Sequence, residues 1–396
     1  MEYREMRKFY FECKGDKAKA EAERKARYES PAAERFDFMI GEYPTFLMYN
    51  GELQSVLSAI YQKKQALWTL ASSLSQVVLR DYMKNMMFDE IQRTNEIENV
   101  HSTRREIEEA DEGIATGKNA RFQGMLRKFQ AVARAEETSV ENIIDIRMIY
   151  DGLLLDDIGK ENPQDLPDGA VFRNKRVFVL DTHGRQIHEG LYPEQEIFAG
   201  LEKAIGILND SAIDPLIRMA VFQYVFAYVH PFYDGNGRTA RFLASVILAR
   251  ELHPLVGMRI SYVIRDHHAK YNSIFKETND RRGMGDVTRF VIAFLTFVRE
   301  AIENVAASLS DRRQRLDHYR EIINALTAGK KQKRCLYVLL QNKLYAPRGV
   351  TIKEMAKACQ ISESTARNML GELSAYMDVG TEGRRHLYTL NLDALD

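Results

Sequence analysis

Cysteine is scarce in this chain, with three in 396 residues, at positions 13, 335 and 359. So few, far apart in sequence and odd in number, they exclude a disulfide scaffold and a cysteine-based zinc site. Charge of one sign is also lacking. Lys+Arg 56 balance Asp+Glu 56, which argues against a wholesale nucleic-acid or membrane-surface binder and leaves only local patches. No apolar run reaches the roughly 18 residues of a membrane span. The opening MEYREMRKFYFECKGDKAKAEAERKARYES has no apolar signal-peptide core, and no repeat recurs at solenoid periods. What is present is 45% hydrophobic, ample for a real core. At about 150 residues per domain the length suggests two or three domains. The expectation is a cytoplasmic protein of a reducing compartment, without membrane contact.

Residues 1–35 are rich in Lys, Glu and Arg and read as a solvated helix or frayed arm. From Phe36 to Glu109 the pattern is helical, with Leu53, Val56, Leu57 and Ile60 at three- and four-residue spacing. A second helical stretch covers 139–155. After Pro163, Pro167 and Gly169, the run KRVFVLD–THGRQIHE predicts a β-hairpin turning at Thr182–Gly184. Helices are expected over 193–208, 214–229, 239–252 and 286–308, then a charged helix from 311 to about 326. The last 62 residues, 335–396, predict an apolar helix, two tightly joined helices and two short strands, the pattern of a winged helix-turn-helix.

The most informative segment is His230-Pro231-Phe232-Tyr233-Asp234-Gly235-Asn236-Gly237-Arg238-Thr239-Ala240-Arg241. Pro231 disfavours helix at His230, and the glycines permit a tight turn. A helix starting near Asn236 has unpaired N–H groups in its first turn, a nest for anionic oxygens. Arg238 and Arg241, three apart, stand beside it as phosphate clamps. Asp234 offers a hard oxygen suited to Mg²⁺, and His230 a near-neutral imidazole able to accept a hydroxyl proton. A glycine-rich turn between two core helices is the bland alternative. Seven fixed positions in twelve make coincidence improbable, on the order of one in a billion from average composition.

This segment resembles throughout the signature of the Fic (filamentation induced by cAMP) family, His-x-Phe-x-Asp/Glu-Gly-Asn-Gly-Arg-x-x-Arg. Most members transfer AMP from ATP to a hydroxyl side chain of a target protein. The resemblance implies that His230 deprotonates a Ser, Thr or Tyr hydroxyl and that Asp234 holds Mg²⁺ between the α- and β-phosphates. It also implies that Gly235, Asn236 and Gly237 cradle the phosphates, with Arg238 and Arg241 on the β- and γ-groups. Arg173 and the hairpin after it resemble the family's flap, which would hold the target segment by strand addition near Val177–Ile187. ISYVIRDHHAKYNSIF resembles the helix closing the adenine pocket. Many relatives carry two tyrosines there, and this chain has Tyr271 followed by Asn272. Adenine would stack on Tyr271, and the choice of base stays open at Asn272. His267-His268 has no carboxylate at ligand spacing and reads as surface histidines.

Thr94-Asn95-Glu96-Ile97-Glu98-Asn99 resembles the family's inhibitory motif, Ser/Thr-x-x-x-Glu-Gly/Asn. Thr94 and Glu98, four apart, share a helix face. Glu98 would then form a bidentate pair with Arg241 and occupy the γ-phosphate position. A capping box is the competing reading and fits poorly, because position 97 is Ile. Some relatives use this glutamate to position a water that removes AMP.

The sequence thus predicts a mainly α protein. Its parts are a helical N-terminal region, 1–110, with an inhibitory helix at about 91–105, a Fic catalytic core with a β-hairpin flap, 111–305, a helical linker, 306–334, and a small winged helix, 335–396. The activity implied is protein adenylyl transfer with ATP as substrate and Mg²⁺ as cofactor. Transfer of another phosphate-linked group, self-modification and a homodimer remain open. The C-terminal tail is weakly basic, and Ser364, Thr365, Arg367, Asn368, Arg384 and Arg385 would face DNA or a protein partner. A DNA-binding regulator with a nucleotide-sensing core is the alternative; a sensor would need the phosphate cradle but not His230.

Overall fold

In the computed structural model, residues 3–136, 138–180, 184, 186–346, 348–382 and 385–396 are described. In chain order they form α1 (Met6–Glu12), α2 (Lys17–Glu29), β1 (Ala33–Ile40), β2 (Tyr43–Met48), α3 (Gly51–Ser72), α4 (Gln76–Ile97), α5 (Arg104–Thr116), α6 (Gln123–Ala133) and α7 (Ile143–Tyr150). A π-turn (Asp151–Leu155) leads to α8 (Asp156–Glu161), β3 (Phe178–Leu180), β4 (Gln186–Glu189), α9 (Glu194–Asn209), α10 (Pro215–Val229) and α11 (Asn236–Glu251). There follow α12 (Pro254–Gly257), α13 (Ile260–Asp266), α14 (His268–Thr278), α15 (Thr288–Ala325), α16 (Lys330–Tyr345), α17 (Ile352–Cys359), α18 (Glu363–Glu372), β5 (Met377–Glu382) and β6 (Arg385–Leu390). The three sheets are two-stranded antiparallel hairpins. The chain divides into two compact units, one of Met1–Gln65 with Met87–Glu303, the other of Ala66–Met86 with Asn304–Asp396.

The first unit is built round α10 and α11. Between Leu216 and Val229 nearly every side chain of α10 is buried, as expected for a helix apolar on all sides. Asp214 caps it by accepting the N–H of Leu216 at 2.9 Å, and Pro215 occupies the first helical position, where its missing N–H costs nothing. α11 is buried almost continuously from Asn236 to Leu248.

Two expectations for the N-terminus are corrected. Residues 33–48 are a β-hairpin rather than helix, because Phe36, Phe38 and Ile40 are buried while Asp37 and Met39 are exposed, a period of two. Residues 3–35 are docked rather than frayed. Met6 and Ala20 join Phe46 and Met284 in a small core. Arg24, one turn beyond Ala20, donates to the carbonyls of Met284 and Pro44 at 3.1 Å and lies 4.8 Å from the Tyr28 ring centroid. Most of the charged residues of α2 lie on its outer face, while Arg24 and Arg27 turn inward. Phe46 N–H in turn donates to Gly285 O at 2.9 Å, and Val287 N–H to Phe46 O at 3.0 Å, which ties the hairpin to the start of α15.

His253 caps α12, its Nδ1 accepting Leu255 N–H at 3.1 Å. Burial holds its imidazole down at about 4. The folded chain therefore binds fewer protons here than the unfolded chain, and stability falls as pH drops from 6.5 towards 4. Asparagine caps equally well and has no proton to gain. His253→Asn should spare about 2 kcal/mol of the acid loss between pH 7 and 4.5, read from urea melts at the two pH values.

In the second unit, Cys335, Leu336, Leu339 and Leu340 of α16 are buried, as are Met355 and Cys359 of α17 and Ala366 and Leu370 of α18. β5 and β6 pair from Met377↔Leu390 to Glu382↔Arg385, and Val350 bridges to Tyr388. Cys335 and Cys359 are distant in sequence but not in space. Their sulfurs are 3.6 Å apart, both as free thiols. α15 runs unbroken where two helices were expected, since residues 306–314 contain no Gly or Pro to stop it. Arg384 and the turn residues Thr182 and His183 lie outside the described residues.

Candidate functional site

α10 ends at His230, which takes the left-handed conformation with φ 53°. A non-glycine residue there is strained by about 1–2 kcal/mol, and the surroundings hold it. Its N–H donates to Phe226 O at 3.0 Å. Its carbonyl accepts Arg173 Nε at 2.9 Å, while the other arms of the same fully buried guanidinium donate to the carbonyls of Lys175 and Leu191. Gly190 makes this possible, because a Cβ there would sit 2.5 Å from Arg173 Nη2 and 2.9 Å from His230 Cβ. Arg173 thus braces the turn.

The imidazole of His230 is pushed down to about 4, chiefly by burial and then by the neighbouring His188 and Arg173. The carbonyl of Ala227 and the Glu98 carboxylate pull the other way. It is neutral at pH 7 and can accept a proton. His188, on β4, has Nε2 2.6 Å from Tyr228 O. A carbonyl only accepts, so Nε2 carries the proton and Nδ1 is left as an acceptor.

The loop after His230 is stapled from within. Phe232 is fully buried, stacked on Tyr150 at 3.7 Å and edge-on to Phe172 at 5.5 Å. Asn236 accepts Phe232 N–H at 2.9 Å and donates to Phe232 O at 2.8 Å. Its side chain is therefore spent on the loop, and it can serve a ligand only through its main chain. Gly235, φ 84°, precedes α11, and a Cβ there would lie 2.5 Å from Leu154. Asp234, partly exposed, takes the N–H of Gly235 and the Nη2 of Arg238, the latter at 2.7 Å. Arg238 is buried, and its Nε has no partner among the described residues, nor has the Tyr150 hydroxyl. With the open first turn of α11, these unspent donors mark a place for an anion.

Thr94 and Glu98 meet Arg241 here. Arg241 is buried, with Nε donating to Thr94 Oγ1 at 2.8 Å and Nη2 to Thr94 O at 3.0 Å. Glu98 Oε1 lies 2.8 Å from the same Nη2. The bidentate pair expected from sequence is thus replaced by a shared grip, in which the threonine takes one edge of the guanidinium. The carboxylate also sits over the first turn of α11, since a Cβ on Gly237 would fall 2.0 Å from Glu98 Oε1. Anything anionic entering that turn must displace it.

A cleft of about 680 Å³ has Glu98, His188, His230, Asn236, Gly237, Arg241 and Tyr271 in its lining, while Asp234, Gly235 and Arg238 stand outside that lining. Tyr271 is buried edge-on to Phe275 at 5.0 Å, and burial raises its hydroxyl to about 12 against the pull of Arg241. It forms floor more than free stacking surface. Asn272 Nδ2 lies 3.1 Å from His268 Nε2. His267 finds Glu300 at 2.9 Å, a carboxylate 33 residues on, and no cluster of three metal-ligating side chains occurs among the described residues. Gln223, which donates to Ala240 O at 2.6 Å and lines the cleft, went unnoticed in the sequence. So did His188 and Gly190; nothing in their sequence surroundings sets them apart.

Residues 142–248 match the sequence profile of the Fic/DOC family. Over 167 residues the chain is 28% identical to a Nematostella vectensis protein named Protein adenylyltransferase Fic, covering 40% of this chain and 32% of that one. Over 124 residues it is 29% identical to the Drosophila melanogaster protein of the same name, covering 31% and 23%. The match thus spans a third or less of these curated relatives. The crystal structure of a Fic family protein from Desulfovibrio desulfuricans G20 superposes with a TM-score of 0.55 at 18% identity, covering 88% of this chain and 98% of that one. The likeness carries the fold, mainly α with small hairpins. No helix among the described residues is long and apolar enough to cross a membrane.

Proposed function

We propose that this chain transfers AMP from ATP to a hydroxyl side chain of a target protein, restrained by Glu98. The observation that carries the reading is the convergence of His230, the first turn of α11 and the Arg241–Glu98 contact on one cleft. The hydroxyl oxygen attacks the α-phosphorus, pyrophosphate leaves, and the hydroxyl proton passes to the neutral His230 imidazole. Arg238 and Arg241 neutralise the outer phosphates, and the main-chain N–H groups of Asn236 and Gly237 orient them.

Asp234 fits Mg²⁺. It is a single carboxylate at the rim of an anion nest, and this ion is commonly held by one or two carboxylates plus substrate phosphates. When bound, Mg²⁺ would neutralise phosphate charge. The target segment would lie along the β3–β4 edge, where Phe178 is exposed. Removal of AMP by a water held on Glu98 belongs to the same reading, and preformed AMP-protein offered to wild type and Glu98→Gly tests it.

Intact-mass spectrometry after incubation with ATP and Mg²⁺ tests the main reading, comparing wild type, Glu98→Gly and Glu98→Gly/His230→Ala. A gain the size of AMP in the single variant alone supports it; no gain in any sample, with ATP bound, overturns it as a self-modifying transferase. Gly237→Ala makes a separate point. Its Cβ would occupy the space now filled by Glu98 Oε1. ATP affinity should therefore drop by about tenfold or more even when Glu98 is glycine, as read by titration calorimetry.

A second reading rests on α17 and α18 with the β5–β6 hairpin, a winged-helix order of elements in which Arg367 and Asn368 are exposed on α18. Ser364 and Thr365 are engaged by Ser362. A salt-sensitive DNA shift weakened by Arg385→Ala would favour a nucleotide-sensing regulator.

A further inference from the structure

Glu90 is a fully buried carboxylate outside every motif above. It stands four residues before Thr94 on the same face of α4, and eight before Glu98, which lies just past the helix end. Both its oxygens receive the N–H of Ser261, at 2.9 and 3.0 Å, at the start of α13. The polar groups on this stretch of α4 divide sharply. Thr94 is held by Arg241, and the buried Asn95 amide has no partner among the described residues. At the rim, Glu96 reaches Arg265 at 3.4 Å and Arg93 at 2.7 Å. Glu90 is thus the buried polar group that fastens this stretch to α13, and α13 leads directly into the helix bearing His268 and Tyr271 of the cleft.

We infer that Glu90 is the positioning residue that holds Thr94 and Glu98 in register with Arg241. This rests on the proposed adenylyl transfer with Glu98 as its restraint. Removing the acceptor leaves a buried N–H of Ser261 unpaired, which favours movement of α4 away from α13. Glu98, joined to Arg241 at 2.8 Å, then loses its support.

The test uses the full chain. Glu90→Ala should raise ATP-dependent AMP incorporation by about tenfold and add nothing to Glu98→Gly. Glu90→Gln, which keeps an acceptor, should stay as low as wild type. If alanine does not fold, Glu90→Asp, whose carboxylate is drawn back by one methylene, should give part of the rise. Amide exchange over residues 91–98 provides a readout independent of catalysis, expected to quicken about fivefold in the alanine variant and not in the glutamine variant. Exchange unchanged in a folded Glu90→Ala or Glu90→Asp overturns the inference. A glutamine variant as active as alanine does so too. If Glu98→Gly in the same series shows no rise while exchange behaves as stated, the restraint by Glu98 fails and the positioning role stands.

Discussion

Glu98→Gly is expected to raise AMP transfer roughly a hundredfold, the scale on which mispositioned reacting groups slow a reaction. The carboxylate touches Arg241 and lies over the first turn of α11, so it competes directly with the outer phosphates for their two principal donors. Its removal deletes a negative charge from an anion site without opening the core, because Glu98 lies just past the end of α4 and is partly exposed. Fold stability should hardly change. Incorporation of labelled AMP at matched ATP concentrations checks the rise. Equal rates in wild type and variant would mean that Glu98 moves aside unaided when ATP binds.

The second large effect is its counterpart. In the Glu98→Gly background, His230→Ala should lower transfer by about 10²–10⁴-fold, the usual worth of a positioned general base, with ATP affinity nearly intact. The cradle belongs to α11 and the loop, and Asn236 and Phe232 hold that loop through each other. His230 contributes to the turn chiefly through its backbone, which alanine retains. Because burial keeps the imidazole near 4, the acid limb of kcat/KM should lie well below the usual 6.5: the base is neutral above its own pKa and is lost by protonation only beneath it. A variant that lost ATP binding together with transfer would show the histidine to be structural.

How much of this was legible depended on what kind of atom does the work. The loop could be read because it depends on residue types with few substitutes, such as Gly235 for its positive φ and Asn236 for its two-way bond to Phe232. The meeting of Thr94 and Glu98 with Arg241 could be read from helical spacing plus a motif, although not the division of labour between hydroxyl and carboxylate. Arg173 could not be read as a brace. Its partners are main-chain carbonyls up to 57 residues away, and carbonyls are the same in every residue. The β1–β2 hairpin was missed because Phe36 and Ile40 are spaced four apart as well as alternating, a run too short to separate the two periods. Glu90 looked like one more charge on a helix, and only its burial distinguishes it.

The brace at Arg173 has one more consequence. Its guanidinium is wholly enclosed and hydrogen-bonded to carbonyl oxygens, and a guanidinium keeps its proton throughout the physiological range. Counterions reach such an interior charge poorly. Its push on the His230 imidazole, which it helps to keep neutral, therefore persists at ionic strengths that would mask surface lysines.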